Sequence, residues 1–302
     1  MPGRVNTTVL ANLAAALGSL CAGASVVATR VAVAETDPFT LSFYRYIIAT
    51  LCFLPVLPLL WPRLRIAPSE WVKIALFGVL FFGFFPWAFS AALQYTTVPR
   101  GAIGLATIPV QTLIVAALFG REQLSGRKLA SVLLAFVGIA VVFGPAAIHG
   151  EGASYLVGDG LMLTGALSAA IYSAFSRPIF NAYGAMFITA IGMVFGLISL
   201  SLPAITHGAL HHWPHFTTQG WIAIVFLGTV GAVVQFSLFN WALRWLPPSR
   251  VVIYLTLNPI TAMLLGTLLL GETVTLLLVA GLAFVISGIF VANIGVRKNK
   301  AE

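Results

Sequence analysis

Two glutamates occupy equivalent places in the sequence, 150 residues apart. Glu122 lies in the stretch IPVQTLIVAALFGREQLS and Glu272 in NPITAMLLGTLLLGETVT, in each case between two long apolar runs. A carboxylate just ahead of a helix can accept hydrogen bonds from the free N–H groups of the first turn, and it complements the positive end of the helix dipole. The first interpretation is a structural cap at the start of a helix, and the alternative is a gating or coupling group.

A proline precedes each glutamate inside the same apolar run. Pro109 and Pro259 are also 150 residues apart. A proline inside a helix removes one backbone hydrogen bond and can bend the helix. The matched positions predict a shared bend, which is either a hinge or a feature of packing.

Neutral polar and aromatic side chains are the other groups in the apolar runs that can bind a small molecule. Such polar groups hydrogen-bond an amino or carboxyl group, and aromatic rings contact an apolar side chain. We predict that several of them line a substrate pathway, and interhelical hydrogen bonding is the alternative for each. The candidates are Trp87, Ser90, Gln94, Thr107, Gln111, Tyr172, Gln235, Asn240, Tyr254 and Asn258.

The composition places these residues in a membrane. The chain has 302 residues, of which 60% are hydrophobic and 8% charged, and its mean hydropathy is +1.01. Soluble domains carry about 25% charged residues, and a helix needs roughly 20 apolar residues to cross a bilayer. We predict an all-α integral membrane protein with ten transmembrane helices, at residues 8–29, 39–61, 71–93, 98–119, 129–142, 160–175, 185–202, 221–241, 251–270 and 274–294.

The distribution of basic residues predicts the orientation of these spans. With the N-terminus inside, thirteen of the sixteen Lys and Arg residues fall in cytoplasmic segments, and only Arg30 and Arg100 fall in outer loops. This asymmetry follows the positive-inside rule. It predicts a multi-pass protein of the cytoplasmic membrane with both termini in the cytoplasm. The basic residues do not cluster on one helix face, so we expect no nucleic-acid partner, and the lipid bilayer is the expected surrounding.

Charged residues are almost absent from the interiors of the spans. Arg45 is the one exception, and its place near the start of a span predicts that it reaches to the outer interface rather than binding a substrate carboxylate. Many proton-coupled carriers hold carboxylates within the membrane, so their absence here favours an apolar pathway. The loop sequence HGALHHWPH has no nearby Cys or carboxylate, so we predict no metal site and no cofactor. Its histidines are His207, His211, His212 and His215.

An internal repeat divides the chain at its middle. Sliding the sequence by 150 positions aligns Pro109 with Pro259, Glu122 with Glu272 and Gly138 with Gly288, and an offset of 147 aligns Arg30 with Arg177. Five spans per repeat is an odd number, so the second copy must enter the membrane from the opposite side. We predict two inverted five-helix repeats, residues 1–150 and 151–302, with a substrate site where they meet.

The sequence resembles the drug/metabolite transporter superfamily, in particular its ten-helix EamA-type branch. The resemblance is carried by SVVATRVAVAETDPFTLSFYRY, ALQYTTVPRGAIGLATIPVQTLIVAALFGREQLS, GDGLMLTGALSAAIYSAFSR and LNPITAMLLGTLLLGETVTLLLVAGLAFVISGIFV. Within the branch, the pattern looks most like the YddG-type exporters of aromatic and other neutral amino acids. The resemblance implies export, and it implies that the spans carrying the polar candidates surround a central cavity.

These observations predict a secondary transporter that exports small neutral metabolites, with amino acids as the first candidates. A broad-specificity exporter of apolar drugs is the alternative, and a channel or lipid-handling protein is the third reading. No HExxH, GxSxG or paired aspartate motif points to an enzyme. The sequence leaves the oligomeric state open, and a monomer is compatible with it.

Overall fold

The computed structural model describes residues 7–62, 65–123, 125–149, 153–209, 216–246 and 254–293, and within these ranges the chain is helical and contains no strand. The first half contains α1 (Thr7–Val33), α2 (Pro38–Phe53), the short α3 (Leu57–Leu60), α4 (Pro68–Gly78), α5 (Phe85–Tyr95), α6 (Val98–Ala106), α7 (Ile108–Leu118) and α8 (Gly126–His149). The second half contains α9 (Ala153–Phe175), α10 (Arg177–Tyr183), α11 (Ala185–Thr206), α12 (Thr218–Gly228), α13 (Gln235–Trp245), α14 (Leu257–Leu270) and α15 (Leu276–Asn293).

Seven helical segments within the described ranges are long and apolar enough to cross a membrane. They are Thr7–Val33, Pro68–Tyr95, Val98–Leu118, Gly126–Gly144, Ser154–Phe175, Ala185–Thr206 and Thr218–Leu243, and the apolar helices α14 and Leu276–Val291 are shorter. Large apolar side chains cover the outside of the bundle, as Leu59 and Leu276 show with 85% and 83% exposure. The chain is therefore a multi-pass membrane protein, and the full set of ten spans stays a prediction.

Several predicted span boundaries differ from the ends of the helices. The second predicted span runs to residue 61, but α2 ends at Phe53, because Pro55 and Pro58 follow and neither has the N–H that continues a helix. The sixth predicted span starts at residue 160, whereas α9 starts at Ala153 and includes Asp159. Residues 251–253 of the ninth predicted span lie outside the described residues, and α14 begins at Leu257.

Two π-helical segments interrupt long helices at matching places. Val79–Phe84 joins α4 to α5, and Thr229–Val234 joins α12 to α13, so both segments and their flanking helices have the same bounds after a shift of 150 residues. Within the second segment the Gln235 N–H donates to the Val230 and Ala232 carbonyls. Single π turns widen a helix locally and occur frequently at functional sites.

The packing between the halves repeats when the halves are exchanged. Helix α1 packs against α12, α13 and α14 of the other half, and its equivalent α9 packs against α5, α7 and the first π segment. Helices α8 and α15 are also equivalent, and they pack closely on each other through small residues. Their close contacts join Gly138 to Gly281 and Ser131 to Gly288, so the later position on one helix meets the earlier position on the other. The two equivalent helices are therefore antiparallel.

Candidate central cavity and helix corners

A cavity of about 240 Å³ lies between the two halves. Its wall is mainly apolar and aromatic, and no Asp or Glu is present among the described residues that line it. Pro109 and Pro259, which are 150 residues apart, are both part of the wall. The lining residues are Ala22, Arg45, Tyr46, Phe81, Phe85, Leu105, Ala106, Ile108, Pro109, Ala169, Ser173, Gln235, Phe236, Phe239, Leu255, Thr256, Asn258, Pro259, Ile286 and Ile289.

Aromatic rings form one side of the cavity and the layer behind it. Phe81 in the wall stacks on Tyr172 with ring centroids 4.2 Å apart and on Phe85 at 5.5 Å. Phe236 closes the same cluster, with its ring 6.2 Å from Phe81. Tyr172 itself is buried and does not line the cavity. This surface suits the apolar part of a small ligand.

Two predicted polar residues, Gln235 and Asn258, line the cavity. Gln235 is the first residue of α13, directly after the π segment, and Asn258 lies in the first turn of α14 just before Pro259. The Asn258 Oδ1 is buried and has no hydrogen-bond partner in the structure. A buried acceptor without a partner is energetically unfavourable, so this oxygen is a candidate contact for a ligand donor.

Arg45 also lies in the wall of the cavity. Its Nη2 donates to the Gly231 carbonyl at 3.2 Å, its guanidinium lies 5.7 Å from the Tyr46 ring centroid, and its Nε is buried without a partner. The prediction that Arg45 reaches to the outer interface is therefore wrong. The side chain instead crosses to the second π segment, where the Gln235 N–H donates to Val230 and Ala232 rather than to Gly231.

The other predicted polar residues lie outside the cavity wall in this conformation. Most of them make local or interhelical contacts. Trp87 stacks on Phe39 with ring centroids 5.2 Å apart, Ser90 is buried and Gln94 is exposed. Thr107 donates to the Gly104 carbonyl and accepts from Gln111, which also donates to the Leu163 carbonyl. Asn240 contacts the Met186 sulfur, and Tyr254 donates to Asn12.

The two equivalent glutamates have different surroundings. The Glu122 carboxylate is 42% exposed and pairs with Lys128 at 2.7 Å. The Glu272 carboxylate is 13% exposed, accepts from the Val98 N–H at 2.7 Å and lies 3.5 Å from the Arg30 Nε. Burial raises the pKa of Glu272, and the Val98 N–H and Arg30 lower it by less. Glu272 caps α6 of the other half. The prediction that it caps the helix that follows it is therefore wrong.

A second ion pair joins the halves near Glu272, and sequence reasoning missed it. Arg100 of α6 pairs with Asp159 of α9, and Asp159 also accepts from the Thr96 hydroxyl. Arg100 further donates to the Val142 carbonyl at 3.0 Å. The sequence contains no signal for this pair, because Asp159 stands between two glycines and reads as part of a loop.

The histidine-rich loop has little described structure. His211, His212 and His215 lie outside the described residues, and His207 lies 3.8 Å from an Asp37 carboxylate oxygen. The described residues contain no group of three or more potential metal ligands.

A family comparison agrees with this architecture. The model of the EamA-like transporter family matches residues 9–144 and 156–294. The chain belongs to the EamA-like transporter family. It is therefore a membrane transporter of the drug/metabolite transporter superfamily, and this role is not enzymatic.

Similar full-length proteins support the assignment to EamA-like transporters. An uncharacterized transporter of Archaeoglobus fulgidus is 26% identical over 270 residues, which cover 89% of this chain and 93% of the relative. The uncharacterized transporter YcxC of Bacillus subtilis is 27% identical over 300 residues, covering 95% and 94% of the two chains. The uncharacterized inner membrane transporter YedA of Escherichia coli is 27% identical over 212 residues, covering 67% and 64%.

A solved crystal structure has the same fold as this EamA-like protein. The two superpose with a TM-score of 0.63 at 20% sequence identity, over 97% of this chain and 99% of the other. The likeness covers both halves of the chain, so the fold is shared over nearly its whole length.

Proposed function

We propose that this EamA-like transporter is a secondary carrier that exports small neutral metabolites, first of all neutral amino acids, across the cytoplasmic membrane. The observation that carries the proposal is the cavity between the halves, with its aromatic wall and the side chains of Gln235 and Asn258. Secondary transporters built from inverted repeats bind substrate where the repeats meet. The direction of transport rests on the resemblance to amino-acid exporters.

The mechanism we propose is alternating access by two inverted five-helix repeats, residues 1–150 and 151–302, forming ten spans. Support comes from the reciprocal packing of the halves and from the antiparallel pair α8 and α15. If both helices cross the bilayer, an axis that exchanges them lies in the membrane plane. Pro109 and Pro259 line the cavity from equivalent helices, so a bend at either site changes its shape.

Reporter fusions test the topology of this mechanism. Fusions after Glu151 and after Gly208 should both report the periplasmic side, because the predicted topology places both loops outside. A fusion after Glu122 is the control and should report the cytoplasm. Cytoplasmic signals from both of the first two fusions would overturn the inverted arrangement.

Flux through proteoliposomes tests the substrate. Purified protein should transport labelled phenylalanine, threonine and methionine saturably and should not transport a cationic dye. An exporter of apolar drugs is the second candidate, because the aromatic wall also fits such compounds, and it predicts dye flux without amino-acid flux. Repeating the assay with and without a proton gradient shows whether transport is coupled.

A further inference from the structure

We propose that Arg45 is the anchor for a substrate carboxylate, and that the carrier therefore selects α-amino acids with apolar side chains by their charged ends. The inference rests on the proposed function and deepens it. The carboxylate would bind the Arg45 guanidinium, the ammonium group would donate to the Asn258 Oδ1, and the side chain would contact the rings of Phe81, Phe85 and Phe236. All of these residues line the same cavity.

Among the described residues, the charge of Arg45 has no counterion. The described wall contains no acidic residue, and the ion pairs found elsewhere in the described chain do not include Arg45. Arg45 is half-buried, and a charge that is partly removed from water is stabilised by an opposite charge and by hydrogen bonds. A carboxylate supplies both, and the planar guanidinium matches its two oxygens.

The hydrogen-bonding capacity of Arg45 is largely unused by the protein. A guanidinium has five N–H donors, and within the described part of the chain this one makes a single hydrogen bond, from Nη2 to the Gly231 carbonyl. That contact and the Tyr46 ring hold the side chain in place. Arg45 thus combines a fixed position with free donors, which is the arrangement that a binding group needs.

The acceptor at the other end of the substrate is Asn258. Its Oδ1 is buried without a partner, and an ammonium group has three N–H donors. Arg45 comes from α2 of the first half and Asn258 from α14 of the second half. A zwitterion held by both groups would bridge the two halves, which links substrate binding to their relative movement.

The repeat shows that the scaffold does not require an arginine at this place. Gly228 in α12 closely approaches the Arg45 backbone carbonyl and the Ile48 side chain. Its equivalent Gly78 approaches the Gly192 carbonyl and the Phe195 side chain in the same way, so Gly192 is the counterpart of Arg45. The second half makes this helix contact with a glycine, so the contact itself does not require an arginine. We infer that Arg45 has a role other than helix packing.

Ligand binding by purified protein tests the proposal with four related compounds. Phenylalanine carries an ammonium group and a carboxylate, and 3-phenylpropionate carries the carboxylate alone. Phenylalaninamide has a neutral amide in place of the carboxylate, and phenethylamine has no carboxyl group at all. Wild-type protein should bind phenylalanine at least about 30-fold more tightly than phenylalaninamide, which is the size of effect expected when a buried charge loses its partner. This comparison needs no variant, so it is informative even if Arg45 variants do not fold.

Variants then identify the group responsible. Arg45→Gln should bind phenylalanine and phenylalaninamide equally, and Arg45→Lys should keep part of the preference for phenylalanine because it keeps the charge. Arg121→Gln is the matched control, because Arg121 lies at an exposed corner and contacts Phe175 rather than the cavity, and it should behave like wild type. Asn258→Ala should reduce the preference for phenylalanine over 3-phenylpropionate.

The outcomes separate this proposal from the proposed function. Saturable flux of phenylalanine together with equal affinity for phenylalaninamide, or a wild-type preference in folded Arg45→Gln, overturns the role of Arg45 and leaves the carrier function intact. Equal wild-type affinity for 3-phenylpropionate and phenylalanine overturns the assignment of an amino acid. Absence of any amino-acid flux in the liposome assay is instead a failure of the proposed function.

Discussion

Replacing Glu272 with alanine should destabilise the protein much more than the same change at the equivalent Glu122. Glu272 accepts from the N–H of Val98, a residue that is fully buried at the start of α6. Alanine would leave that N–H without an acceptor, and an unsatisfied buried donor costs about 1–3 kcal/mol. Glu122 is 42% exposed and pairs with Lys128, and exposed ion pairs contribute about 0–1 kcal/mol.

Glu272→Gln separates the hydrogen bond from the charge. The glutamine amide oxygen can still accept from the Val98 N–H. Loss of the ion pair with Arg30 should cost little stability, because Arg30 is 33% exposed and also donates to the Leu93 carbonyl. Burial raises the pKa of Glu272, which means that its surroundings favour the neutral form of the side chain over the carboxylate. We expect Glu272→Gln to change stability by less than about 0.5 kcal/mol.

Thermal unfolding in detergent measures these differences. A loss of about 2 kcal/mol lowers Tm by roughly 4–8 °C, from about 2–4 °C per kcal/mol for domains of this order of size. Glu272→Ala should show such a fall, and Glu272→Gln and Glu122→Ala should stay within about 2 °C of wild type. Equal falls for the two alanine variants, or a large fall for Glu272→Gln, would refute the role given to the Val98 N–H.

Three further changes test other parts of the structure. The pKa of Glu272 is raised in the folded protein, so its contribution to stability is present at low pH and is lost as the pH rises through the raised pKa. The Tm of the wild type should therefore fall more steeply with rising pH than the Tm of Glu272→Gln. Equal dependence of the two Tm values on pH would contradict this prediction. Gly196→Ala should lose about 1–3 kcal/mol, because its Cβ would overlap the Phe82 backbone, whereas Gly144→Ala, with open space around it, should not lower Tm. Pro109→Ala and Pro259→Ala, matched for membrane expression, should alter flux more than affinity, and unchanged flux in both would reduce the bends to packing.

The helical, membrane-spanning character of the chain could be predicted because its signals are local. Apolar runs, matched prolines and matched glutamates are visible in the sequence, and the family match and helical structure confirm an EamA-like membrane transporter. The π segments could not be predicted, because neither Val79–Phe84 nor Thr229–Val234 differs in composition from the helices around it. Their coincidence under the 150-residue shift appears only in the structure.

The candidate site was predicted in part. Gln235 and Asn258 do line the cavity, because polar residues inside a membrane tend to face the bundle interior. Arg45 was assigned from its depth alone, about 10 Å along α2 from its first residue. Depth does not show which neighbour a side chain faces, and here α2 turns Arg45 toward Gly231. That direction depends on the packing of α2 against α12, which the sequence does not reveal.

The most direct test of the central cavity as the substrate site is the position of a bound ligand with a heavy atom. We propose a crystal structure of the protein with 4-bromophenylalanine, in which anomalous scattering locates the bromine. We predict a bromine peak between Phe81, Phe85 and Phe236, with the carboxylate about 3 Å from the Arg45 guanidinium. A peak only outside the central cavity, or no peak under conditions that saturate binding, would contradict the assignment.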